Sequence, residues 1–256
     1  MNAPPPLFTL PAPVAPNLRH AFGGVWRLTL RRHLAPGRWV MLLAGLAALG
    51  LLAFAASHDR RADHYAGWIV DFYVAFLVPA FAFISAAGAM RDDLKTGTVD
   101  YVLTRPMPRP AYVVARFVTH TVFQQLDFLL ALVTIVAVGS ARGFPGLVAL
   151  TPGFLVAQVL LITAFAALGF LAAVLTSRYL VIGIVYAGVI EAGLGQIPTQ
   201  ISRLSLTRQA HNLFASTGEI VSATAVLGTG AVMLLFTALA LTAAATLFRR
   251  REFGGE

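Results

Sequence analysis

Apolar residues run along this chain in long unbroken blocks, without the short amphipathic rhythm of a soluble domain. Six blocks, at about 39–56, 68–90, 113–139, 153–175, 179–198 and 221–248, are each long enough at about 1.5 Å per residue to cross a hydrocarbon core of about 30 Å. The pattern predicts an all-α, polytopic membrane protein of six spans joined mostly by short loops. Ahead of the first block the rhythm changes. Over residues 17–34, Leu18, Phe22, Val25 and Trp26 share one helical face while His20, Arg27 and Arg31 share the other, as in a helix lying in the membrane interface. Arg32 and the pair Gly23 and Gly24 interrupt that pattern, and a basic flank orienting the next span accounts for it equally well. The expected organisation is a disordered cytoplasmic tail over 1–16, an interfacial amphipathic helix within 17–38, a transmembrane domain over 39–248 and a basic cytoplasmic C-terminus over 249–256.

Composition supports the membrane reading. Of the 256 residues 58% are hydrophobic and only 12% charged, against about 25% charged in ordinary soluble domains. A net charge of +8 raises the question of nucleic acid, but the arginines sit in short clusters between apolar blocks, where they flank spans, so no nucleic-acid partner is expected. With six spans both termini share a side, and fourteen of the nineteen Lys and Arg residues fall on that side. The termini are therefore expected in the cytoplasm of a plasma-membrane protein. Cysteine is absent, which removes thiolate metal ligands and thiol nucleophiles. The N-terminal prolines and the lack of charge before Arg19 do not read as a secretory signal.

The cytoplasmic connection between the second and third blocks reads RDDLKTGTVDYVLTRPMPRPAYVVARF. Gly97 permits a sharp entry, Asp100, Tyr101, Val102 and Leu103 make one helical turn, and Pro106, Pro108 and Pro110 stiffen the return. Two readings of these residues are open: a solvated loop, or a short rigid helix that docks on a soluble partner and passes force to the second and third spans. The segment resembles the signature of type-2 ABC transporter permeases: an acidic stretch, Gly-Thr, an apolar turn, Ser or Thr, a Pro and then a basic residue. Here these are Asp92 and Asp93, Gly97 and Thr98, Val102 and Leu103, Thr104, Pro106 and Arg109. Val99 stands where leucine is usual, and the acidic pair lies four and five residues before Gly97. Six spans, an amphipathic N-terminal helix and the basic FRRREF end fit the same family over nearly the whole chain.

The resemblance implies that this loop is a coupling helix seated on a separate nucleotide-binding ATPase subunit, and that two permease chains pair, as homo- or heterodimer, into twelve spans. ATP and Mg would then belong to the partner, with no cofactor on this chain. The residues agree with that division. A phosphate-binding P-loop needs a Gly-Lys-Ser/Thr step, whereas the single lysine, Lys95, follows Leu94.

Ionisable groups within spans are costly, so each is a candidate for function. Arg116, His120, Gln124 and Asp127 form one polar stripe on the third span. Arg116 is expected to snorkel to the cytoplasmic surface. His120, Gln124 and Asp127 are candidate pathway residues, with interhelical hydrogen bonding the preferred role. Glu191, among Gly188, Gly193 and Gly195, is the fourth pathway candidate, and Asp71 is expected to be interfacial and wet. Pro79 is expected to kink the second span. Residues 199–220 are read as a surface loop or a short interfacial or re-entrant helix. No HExxH, GxSxG or metal-spaced histidine pair occurs, and His58, His64, Asp59 and Asp63 read as a solvated outer loop. The expected function is the permease subunit of an ATP-driven exporter and not an enzyme. Two alternatives stand beside it: an ion- or proton-coupled secondary transporter or channel built on Asp127 and Glu191, and a membrane enzyme or assembly factor drawing on the His120 and Asp127 stripe.

Overall fold

The computed structural model describes residues 18–59, 61–95, 107–191, 193, 205–214, 220 and 222–250. Helix α1, Leu18–His33, is followed after a two-residue break by α2, Pro36–Ala56. Pro36 fits at the head of α2 because its missing N–H falls where no intrahelical acceptor exists. Three long helices follow: α3 over Ala62–Leu94, α4 over Arg109–Ala141 and α5 over Leu147–Leu175. The tight turn between α4 and α5 uses Gly143 and Gly146 at φ of 83° and 79°, a left-handed conformation that side chains disfavour. The last elements are α6, Tyr179–Glu191, the short α7, Leu206–His211, and α8, Ala223–Arg250.

Among the described residues five helices, α2, α3, α4, α5 and α8, are long and apolar enough to span a bilayer. Of the expected fifth span at 179–198, the described part is α6, thirteen residues to Glu191, about 20 Å; residues 192 and 194–198 lie outside the described residues.

Polar contacts fix the helix directions. Tyr65 donates to the Ile135 carbonyl at 2.8 Å, Tyr73 to that of Phe128 at 2.9 Å, Gln124 to Ser85 at 2.6 Å and Tyr112 to Asp93 at 2.8 Å, so α3 and α4 run antiparallel along their whole length. Arg109 reaches the Arg249 carbonyl at 3.5 Å. The end of α3, the start of α4, the end of α8 and the ion-paired part of α1 therefore share one end of the bundle, the end flanking residues 96–106.

Helix α5 is the centre. Two thirds of its apolar window (67%) is buried, against 11% for α2, whose Met41 and Leu51 face outward as lipid-facing residues do. The sequence explains the contrast: α5 is apolar all round and rich in alanine, and small residues let helices approach closely. At Gly169 an added Cβ would lie 2.6 Å from the Phe83 carbonyl oxygen and 3.1 Å from the Ala87 amide nitrogen of α3. Neither backbone atom can move aside cheaply, so glycine is what this crossing requires.

Helix lengths also say where the bilayer fits. The 21 residues of α2 make about 31 Å, one hydrocarbon core. Its two ends meet α4 through Arg38 with Asp127 at 2.8 Å and through Ser57 with Arg142 at 3.1 Å. The 33 residues of α4 make about 50 Å. Most of the excess lies on the 96–106 side, where α1, in place of α2, lies against α4.

Candidate functional site

At the 96–106 end a buried ion network joins three helices. The Asp93 carboxylate, wholly buried, accepts from Arg32 of α1 at 2.7 Å, from Arg116 Nε of α4 at 2.6 Å and from the Tyr112 hydroxyl at 2.8 Å. Arg116 turns its Nη1 to the Thr29 hydroxyl at 2.8 Å, and Thr29 donates in turn to the Val25 carbonyl at 2.9 Å. A buried carboxylate is tolerable only when its charge is matched and its lone pairs are filled, and here both conditions hold. Beneath the network Met90, Met107, Tyr112 and Phe248 pack together with Val25. The departure of the chain from α3 and its return to α4 are thereby held side by side.

Two sequence expectations are corrected at this point. Asp93 offers no surface to a partner, because its carboxylate is consumed inside the bundle. Arg116 does not snorkel: only 4% of its side chain is exposed, since Asp93 lies within its reach. Asp92 is exposed on the last turns of α3, and Arg109 begins α4. Gly97, Thr98, Asp100, Tyr101, Val102, Leu103, Thr104 and Pro106 lie outside the described residues. Pro108 and Pro110 do not end regular structure; they stand at the cap and in the first turn of α4, where a missing N–H costs nothing.

The polar stripe of α4 is occupied by neighbouring helices. His120 is buried, 3.5 Å from Ser85, and Gln124 donates to Ser85 and, at 3.3 Å, to the Phe81 carbonyl. Asp127 receives His33 at 2.9 Å and Arg38 at 2.8 Å from the α1–α2 elbow. Asp127 therefore sits level with the start of α2, shallower than its central place in the third apolar block suggested. This part of α1 is thus pinned to the bundle twice, at Asp93 and at Asp127.

Glu191 caps α7. It accepts from Ser205 Oγ at 2.6 Å, from the amides of Leu206 and Thr207 at 3.1 and 3.2 Å, and from the Thr207 hydroxyl. Those are the orphan donors of a helix start. Both carboxylates on which the ion-coupled alternative drew, Asp127 and Glu191, are thus bound to protein donors. Within 199–220, read as either a surface loop or a short helix, the described residues include the short helix α7, which packs inward: Leu206, Ala210 and Leu213 are buried beside α3, α5 and α8.

A cavity of about 690 Å³ lies between α3 and α6. Apolar side chains make its wall, and Glu191, Thr207 and His211 stand at the end near α7. Two wide π-helical stretches border it, Ile69–Leu77 in α3 and Tyr186–Glu191 in α6. Pro79 explains the first: it cannot donate to the preceding turn and its ring crowds the carbonyl there, so the preceding turns widen.

Sequence reasoning missed Thr29, Tyr112, Ser85 and Ser205. The usable signals were faint: Thr29 lies one turn from Val25 on the apolar face of α1, and Ser205 with Thr207 opens a helix as N-caps do.

These features define a helical membrane protein with one end braced by buried charge. The chain matches the family model for ABC-2 family transporter proteins over residues 31–192, and it belongs to that family. The match runs from the elbow through α6, so it includes Arg32, Asp93, Arg116, Asp127 and Glu191 and leaves out α7 and α8. A comparison with curated proteins finds no match.

Proposed function

We propose that this chain is the permease subunit of an ATP-driven exporter in the plasma membrane. A separate cytoplasmic ATPase subunit holds ATP and Mg and docks on residues 97–106 together with Asp92 and Arg109. A second permease chain completes the pathway, and both termini lie in the cytoplasm, as the excess of arginine at the 96–106 end favours. The observation that carries this reading is the Asp93 network. A loop that transmits force needs fixed ends, and the structure clamps both ends of this one to each other and to α1. Closure of the ATPase pair would then move α3, α4 and α1 as one body against α5 and α8.

The test replaces Asp100, Tyr101, Val102 and Leu103 by a Gly/Ser stretch of equal length. The variant is expected to insert and purify normally while losing copurification with the ATPase encoded alongside it. Full retention of the ATPase would refute the docking role.

A further inference from the structure

Asp71 presents an unusual combination. It lies nine residues inside α3, about 14 Å from Ala62, within an apolar stretch, yet 76% of its side chain is exposed. Among the described residues its ion-pair contact is long, 3.8 Å to His211 Nδ1. A carboxylate at such depth in an apolar helix calls for a cation or water beside it. The group is one turn beyond Ala75 and Phe76, which line the α3–α6 cavity, and His211 lines the same cavity from the other side. Glu191 already has its oxygens engaged at the start of α7, whereas Asp71 faces outward.

Aromatic residues flank Asp71 along α3. Trp68, Phe72 and Phe76 stack along α3 with ring centroids 5.2 and 5.9 Å apart, and Phe76 belongs both to this ladder and to the cavity wall. A carboxylate beside aromatic rings is the chemistry that retains an alkylammonium head. Beyond it the trough is apolar, with Pro79, Phe83, Ile84, Leu180 and Ile184. It follows α6 from Leu180 to Glu191, about 16 Å. A volume of about 690 Å³ is of ligand size. The π-helical turns on both walls mark the trough further, since such turns concentrate at functional sites.

We infer that the α3–α6 trough binds a single-chain cationic amphiphile, with its alkylammonium head at Asp71 and its tail against Phe83, Ile84 and Ile184, as cargo of the permease. The designation as cargo rests on the function proposed above; the binding does not. It requires neither nucleotide nor ATPase, so a chain that retains its ATPase and fails to bind loses this inference alone.

The test uses the purified full chain in maltoside micelles and a fluorescent dodecyl-trimethylammonium probe below its own micelle concentration. On the unaltered protein, unlabelled dodecyl-trimethylammonium should displace the probe at least about tenfold more effectively than dodecyl sulfonate of the same chain length. Asp71→Asn should raise the probe Kd about tenfold and abolish that preference. Ala80→Trp, which fills the trough, should weaken both headgroups alike. Circular dichroism and gel filtration establish that each variant is folded. Equal displacement by the two headgroups on the unaltered protein would overturn the inference. So would an Asp71→Asn variant that keeps its probe affinity but splits a dimer, because the carboxylate would then belong to a contact between two copies.

Discussion

The two ends of this bundle handle buried charge in opposite ways. At the 96–106 end one carboxylate, Asp93, is fixed by three side chains from two other helices, two of those side chains being arginines. At the other end Glu191 is held mainly by backbone and hydroxyl donors of three consecutive residues, Ser205 to Thr207, while nearby Asp71 is mostly exposed. The first arrangement is long-range and holds elements rigidly together. The second is local and stands beside two π-helical stretches, where backbone hydrogen bonds are already off their best geometry. The contrast describes a stiff lever joined to a wall whose turns can be repacked.

Substitutions should reveal that asymmetry, and the largest effect should fall on the joint between the two ends. Gly169→Leu drives a side chain into the α3 backbone at Phe83 and Ala87, and no rotamer relieves it. The variant is expected to yield no monodisperse protein by gel filtration in detergent. Next comes Asp93→Ala, which strands Arg116 without its partner and should cost about 3–5 kcal/mol, read as a large fall in Tm. Adding Arg116→Ala should recover part of that loss, because the uncompensated charge goes with it. Glu191→Ala removes a cap and should cost about 0.5–2 kcal/mol. Its signature is faster amide exchange at Leu206 and Thr207, with the network end unaffected. Arg32→Ala is smallest. Its side chain is 42% exposed, so about 0–1 kcal/mol is expected, small enough that gel filtration and expression should match the unaltered chain. If Glu191→Ala proved as damaging as Asp93→Ala, the two ends would be equally braced and the contrast would dissolve.

Long apolar runs made most of the architecture legible. Residues 39–56, 113–139 and 153–175 each lie inside an observed helix, and the last block does from Ala223 onward, because nothing but a helix satisfies the backbone of such a run in lipid. Boundaries moved outward in α3 and α4, where the final turns carry charge and escape a test based on hydropathy. The 179–198 block is described as helix only as far as Glu191, whose contact with residues 205–207 is one that no periodicity encodes. The site was harder still. Asp93 and Arg116 were each visible, but one looked like a surface acid and the other like a snorkelling base. Their pairing depends on the antiparallel register of α3 and α4, and the share of Thr29 and Arg32 depends on α1 lying across both. Asp127 was placed too deep for the same reason, since the level at which α2 begins is set by the fold.

The central claim, that the end flanking residues 96–106 is the ATPase-facing end, can be measured by site-specific photo-crosslinking. The natural absence of cysteine allows a single maleimide photoprobe at Tyr101→Cys, with His58→Cys at the opposite end as control. The account predicts a permease–ATPase adduct from position 101 and none from position 58. An adduct from position 58 and none from 101 would contradict it.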